Sequence, residues 1–154
     1  MTGYKAYQGN QIEGSGPLGL ILLTYEALNK ALARAEFAIE AGDLAAEAEH
    51  VGRALEAVVE LTTSLNMEEG GEVAKNLASI YNYMFKRLTE GMCTSSTEHV
   101  KEVMQLAQTL REGWQQLARD HQQTIAEHES STSEKRQVAA NSEPVARMAM
   151  SYTG

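Results

Sequence analysis

Apolar residues recur three and four positions apart in four long runs of this chain, and glycine or small polar residues separate the runs. In the first run Leu18, Ile21, Leu22, Tyr25, Leu28, Leu32, Ala35 and Ile39 keep that spacing, which predicts a helix from about Pro17 to Ala41. Ser15 suits its N-cap and Pro17 its first turn, while Gly42 ends it and Asp43 caps the next helix. The second helix is expected from about Leu44 to Leu65, with Leu44, Ala48, Val51, Leu55, Val58, Thr62 and Leu65 as its stripe and Val59 and Leu61 beside it. Gly70 and Gly71 mark the turn into the third, GGEVAKNLASIYNYMFKRL, whose stripe is Val73, Leu77, Ile80, Met84 and Leu88. Tyr81 and Phe85 widen that stripe on one flank, both expected in the core, and Tyr83 stands off the other as a candidate exposed contact. The fourth helix starts near Ser96 or Thr97 and keeps its period through Val100, Val103, Leu106, Leu110, Trp114, Leu117 and Ile125. Leu110 and Trp114 are expected in the core.

Connections of a few residues force consecutive helices to lie antiparallel. The fold expected is therefore all-α, an antiparallel up-down four-helix bundle over residues 17–126. Residues 1–16 are polar, Gly-rich and punctuated by Tyr4, Tyr7 and Ile12, and read as a mobile N-terminal arm. Residues 127–154 read as a polar linker, Ser130 to Lys135, and a C-terminal extension whose stretch after Pro144 leaves room for a short fifth helix without requiring one.

Composition supports this picture and narrows the function. The chain has 154 residues, the length of one domain, and 43% of them are hydrophobic, enough for a core. Its two prolines, Pro17 and Pro144, leave the middle free for long helices. A formal net charge of -8 argues against a nucleic-acid partner, which needs a basic surface. No run of about 20 apolar residues predicts a membrane span, and Leu18 to Tyr25 lacks the basic flank and cleavage site of a signal peptide. Cys93 is the sole cysteine, so an internal disulfide is excluded and a reduced, cytoplasmic setting is expected.

Candidate chemistry is sparse. Glu47 and His50 form one Glu-x-x-His unit, but carboxylate-bridged metal bundles need two such units plus further glutamates, and His99, His121 and His128 have no Glu three residues before them. Both residues are expected on a solvated helix face. Cys93 has no adjacent His or basic residue and is expected to be inert. No catalytic residue, metal or cofactor is expected, and the chain reads as one that works by surface. A ferritin-like di-metal enzyme and a self-associating structural or regulatory bundle are the alternatives.

Several pieces, in order and at matching spacing, resemble one family: the arm YKAYQGNQI, Ser15-x-Pro17, Tyr25, the Gly42-Asp43 turn, GGEVAKNL…IYNYM…RL, and LREGW on the fourth helix. The family is the flagellar secretion chaperones of the FliS type, and the resemblance covers roughly residues 4 to 117. The chain departs from the family pattern at Glu26-Ala27 and at Gly91-Met92-Cys93. The resemblance implies a cytoplasmic chaperone that binds the C-terminal segment of flagellin, prevents early polymerisation and delivers it to the flagellar export apparatus. It also implies that the arm, through Tyr4 and Tyr7, meets the client. The residues expected to contact a partner are Tyr4, Tyr7, Ile12, Tyr25 and Tyr83.

Overall fold

A computed structural model describes the backbone of residues 16–151 and the side chains through residue 136. It contains four helices, α1 (Gly16–Glu40), α2 (Leu44–Thr63), α3 (Met67–Thr94) and α4 (Thr97–Ser151), and no strand among the described residues. The expected arm, with Ser15, lies outside them. The residues group into two compact units, one through Gln116 and one from Leu117.

In the first unit the helices are set by their turns. Gly42 has φ +69, a conformation that favours glycine, and its N–H bonds to the Ile39 carbonyl at 3.1 Å while the Asp43 N–H bonds to the Ala38 carbonyl at 2.9 Å. That pair satisfies the last carbonyls of α1. The Asp43 carboxylate then accepts from the Ala46 N–H at 3.1 Å and caps α2. Asn66 does the same for α3, accepting from the N–H groups of Glu68 and Glu69. The first turn of α3 is broken from the rest at Gly71, whose φ 49 and ψ -128 are open to glycine alone. The Gly-Gly pair therefore lies inside the element, just after its first turn.

Cross-helix contacts give the directions. Tyr25 of α1 meets Trp114 of α4, and Glu36 meets Lys101, so α1 and α4 run antiparallel. Glu47, near the start of α2, meets Ser95 at the end of α3. The core comprises Tyr25, Leu28 and Leu32 of α1, Val51, Val58 and Leu61 of α2, Tyr81, Met84 and Leu88 of α3, and Val100 and Val103 of α4. Ala31, Ala35, Ala54, Ala57 and Ala107 fill the layers between them. The antiparallel bundle is as the periodicity predicts.

Several positions differ from the predicted phase. Phe85 is 40% exposed rather than core, and Val73 and Leu44 are exposed despite their places on the stripes. Leu110 and Trp114 are only partly buried against the core. In α2 the inward line is Glu47, Val51, Ala54, Val58 and Leu61, so Ala48 and Leu44 turn outward. Glu47 is therefore not on a solvated face: it is 4% exposed, and the Ser95 hydroxyl donates to its Oε2 at 3.0 Å.

The second unit, from Leu117, continues as helix. The stretch Ser130 to Lys135, expected as a linker, is helical, and no separate fifth helix follows Pro144, because α4 runs through to Ser151. Between Gly113 and Pro144 there is neither glycine nor proline. Local bonds also accommodate the threonines: the hydroxyls of Thr124 and Thr132 donate to the carbonyls four residues back, at 2.9 and 2.8 Å.

Candidate functional site

Where α1 begins, α2 ends and α3 begins, the stripes run out of neighbours. Ile21, Leu65, Val73, Leu77 and Trp114 line a half-open, mainly apolar groove of about 290 Å³, with Tyr81 at its base. Ile21 comes from the first turns of α1, Leu65 from the α2–α3 connection, and Val73 and Leu77 from the early part of α3, where no neighbouring turn covers them fully. Val73 is the extreme case, at 67% exposed. Ser64, Asn66 and Glu69 give the groove a polar edge.

Beneath the groove lies a polar aromatic cluster. The hydroxyls of Tyr25 and Tyr81 are 2.6 Å apart, with ring centroids 6.5 Å apart and tilted by 54°, and the Trp114 indole N–H donates to the Tyr25 hydroxyl at 3.3 Å. Burial pushes both tyrosine hydroxyls above their ordinary pKa, Tyr25 far above it. The cluster stays neutral and ties α1, α3 and α4 together under the groove.

A second hollow, about 400 Å³, lies between α3 and α4 over Ile80, Leu106 and Leu110, with Glu102 at its rim. Glu102 accepts from the Tyr83 hydroxyl and from Arg87 Nε, the latter at 2.8 Å. These bonds, Tyr83 first and then Arg87, hold the Glu102 carboxyl below its usual range, and the same carboxylate raises Tyr83.

The expected contact residues separate. Tyr83 is 43% exposed on α3 and reaches the rim of the second hollow through Glu102. Tyr25 is fully buried, so it supports the groove from below and offers no surface to a partner in this conformation. Tyr4, Tyr7 and Ile12 lie outside the described residues. The groove itself was not singled out by periodicity, because a stripe residue at a helix end reads as core. The available signal was the position of Leu65 and Val73 on either side of the α2–α3 turn.

No group of three or more His, Cys, Asp or Glu residues among those described is arranged to hold a metal ion. No helix among the described residues is long and apolar enough to cross a membrane.

Comparison with known proteins identifies the lineage. Residues 1–121 match the family described as Flagellar protein FliS. The flagellar secretion chaperone of Salmonella typhimurium is 32% identical over 122 residues, covering 76% of this chain and 90% of the relative. The corresponding chaperone of Campylobacter jejuni is 30% identical over 124 residues, covering 80% and 95%, and that of Vibrio cholerae is 24% identical, covering 80% and 91%. The family match over residues 1–121 and the 32% identity across most of both chains place this all-helical chain in the FliS family of flagellar secretion chaperones.

Proposed function

We propose that this chain is a cytoplasmic export chaperone that captures the C-terminal segment of flagellin, prevents its premature polymerisation and passes it to the flagellar secretion apparatus. The observation that carries the reading is the open apolar groove of Ile21, Leu65, Val73, Leu77 and Trp114. An exposed apolar seam bounded by helices suits an amphipathic client helix, which lays its apolar face into the groove and becomes ordered there. Ordering the client costs free energy, so affinity per unit area is modest while the covered surface can be large. That balance suits a chaperone that must release its client.

In this reading Tyr4, Tyr7 and Ile12 serve the groove from the segment that precedes α1. The arm joins α1 at Gly16, and Ile21 lines the groove five residues later. Fifteen residues extend up to about 50 Å, ample to reach it. In this account the two tyrosines contact the client, with large apolar area and few rotatable bonds. Before the client arrives, the same arm shields the groove. Tyr83 provides a further client contact on α3, and Tyr25 acts from beneath by holding Tyr81 and Trp114 in place.

A pull-down of flagellin with and without its C-terminal segment tests the reading. Retention of the intact protein and loss of the truncated one is the expected result. Equal retention of both would refute it.

A further inference from the structure

The groove has an acidic edge that capture of an apolar face leaves unused. Among the residues lining it one is an acid, Glu69, and none is a base. Glu69 is exposed in the first turn of α3, three residues after the N-cap Asn66. A glutamate at that position can fold back onto the N-cap backbone N–H and complete a reciprocal cap. Here the capping is one-sided. Asn66 Oδ1 accepts from the Glu68 and Glu69 N–H groups at 3.1 Å each, while the Glu69 carboxylate has no hydrogen bond or ion pair among the described residues.

We propose that Glu69 sets the register and direction of the client in the groove, by pairing with a lysine or arginine beside the apolar stripe of the client helix. The inference rests on the reading that the groove receives an amphipathic helix. Burial of apolar area is non-directional, so an apolar groove alone holds such a helix in either direction and lets it slip by a turn. One charge at one end removes that freedom. Complementary charges fix register, and they exclude wrong partners more than they add affinity.

The carboxylate stands at one end of the apolar row. Val73 and Leu77, the exposed and half-buried lining of α3, follow it on the far side of the Gly71 break. Ser64 and Asn66 are its polar neighbours along the edge. The turn that carries Glu69 is itself intact, since the Gly70 N–H bonds to the Asn66 carbonyl at 2.8 Å. Glu69 is therefore presented on a hydrogen-bonded turn, and little ordering of the backbone is left to be done when a cation arrives.

Lys75, the basic residue nearest in sequence, is occupied by Glu72 at 3.4 Å and does not neutralise Glu69. A chain of net charge -8 also draws a basic segment toward it before contact. An exposed ion pair contributes only a few-fold in affinity, and salt screens it. The pair therefore acts on which client sequences bind and in which register, while the apolar face supplies most of the affinity.

Calorimetric titration of a flagellin C-terminal peptide into the wild type, Glu69→Lys and Glu68→Lys tests this. Glu68 and Glu69 share the capped first turn and are both exposed, but only Glu69 lines the groove. Glu69→Lys should weaken binding about fivefold in dilute salt, and the loss should shrink as salt is raised. Glu68→Lys should change affinity by less than about twofold. Both variants keep the Asn66 cap, so both should keep the wild-type circular dichroism. Peptides in which each basic residue in turn becomes Glu complete the test. One of them should lose affinity for the wild type and regain it with Glu69→Lys. Absence of such a rescuing swap, or equal losses at Glu68 and Glu69, would overturn the proposal. Val73→Asp separates this outcome from the fate of the groove. Lost binding in Val73→Asp without a rescuing swap keeps the groove and removes the role of Glu69, whereas intact binding in Val73→Asp removes both.

Discussion

Tyr25 and Tyr81 lie 56 positions apart in sequence, yet their hydroxyls meet at 2.6 Å in the core, directly beneath the exposed groove. A pair of phenols buried together is stable only while both are neutral. Their folded pKa values lie above the unfolded value of about 10, so their contribution is fully present below pH 10 and is lost as pH rises above it. Urea unfolding should give constant stability from pH 7 to 9 and a decline above pH 10, with each tyrosine adding up to about 1.4 kcal/mol per pH unit. Tyr25→Phe with Tyr81→Phe should flatten that decline. Tyr25→Phe alone, which strips a partner from Tyr81 and Trp114, should cost about 1–3 kcal/mol at pH 7.

Burial ranks the leucines. Leu32 is fully buried and Leu110 only partly, because α4 offers it to the hollow over Ile80. Leu32→Ala should therefore cost about 2–5 kcal/mol and Leu110→Ala about 1–2 kcal/mol. Thermal unfolding of the two variants checks the order. A larger loss at Leu110 would contradict the packing described.

The sequence showed the four bundle helices, the α1–α2 turn and most of the core, because capping residues and a helical period act locally, but it set the α2–α3 turn at Gly70-Gly71, inside α3, when Asn66 caps that helix. Gly42 with Asp43 could be read as a stop and a start from composition alone, and the hydrogen bonds there bear that out. Phase near helix ends could not be read in the same way. Leu44 and Val73 keep the period yet face solvent, since whether a stripe residue is covered depends on a neighbouring helix reaching that level. Glu47 was misplaced for a related reason: its partner, Ser95, comes from another helix 48 residues on. The tail was misread because polar composition suggested a linker, while the lack of glycine and proline before Pro144 permits a continuous helix. The groove became visible only when the start of α1, the α2–α3 connection, the early part of α3 and Trp114 of α4 were brought together.

Deleting residues 128–154 should leave the bundle's melting midpoint and flagellin binding unchanged. Family similarity ends at residue 121, and residues 119–131 are all exposed. Calorimetric titration of both forms with flagellin checks this. Tighter binding or aggregation of the shortened chain would show that the extension covers a binding surface.

Replacing Tyr4 and Tyr7 together by Ala should weaken binding of a flagellin C-terminal peptide by about one to three decades, or about 1–4 kcal/mol, with little change in unfolding. If the arm acted only as a shield, affinity would rise instead. Unchanged affinity would remove the arm from the account.

The most direct measurement is the affinity of a flagellin C-terminal peptide for the wild type and for Val73→Asp, by calorimetric titration. Val73 is 67% exposed at the groove, so the change should leave the unfolding midpoint within about 0.5 kcal/mol of wild-type stability. If the groove receives the client's apolar face, a carboxylate there should lower affinity at least tenfold, about 1.4 kcal/mol. Equal affinity for the two proteins would contradict the claim that this groove captures flagellin.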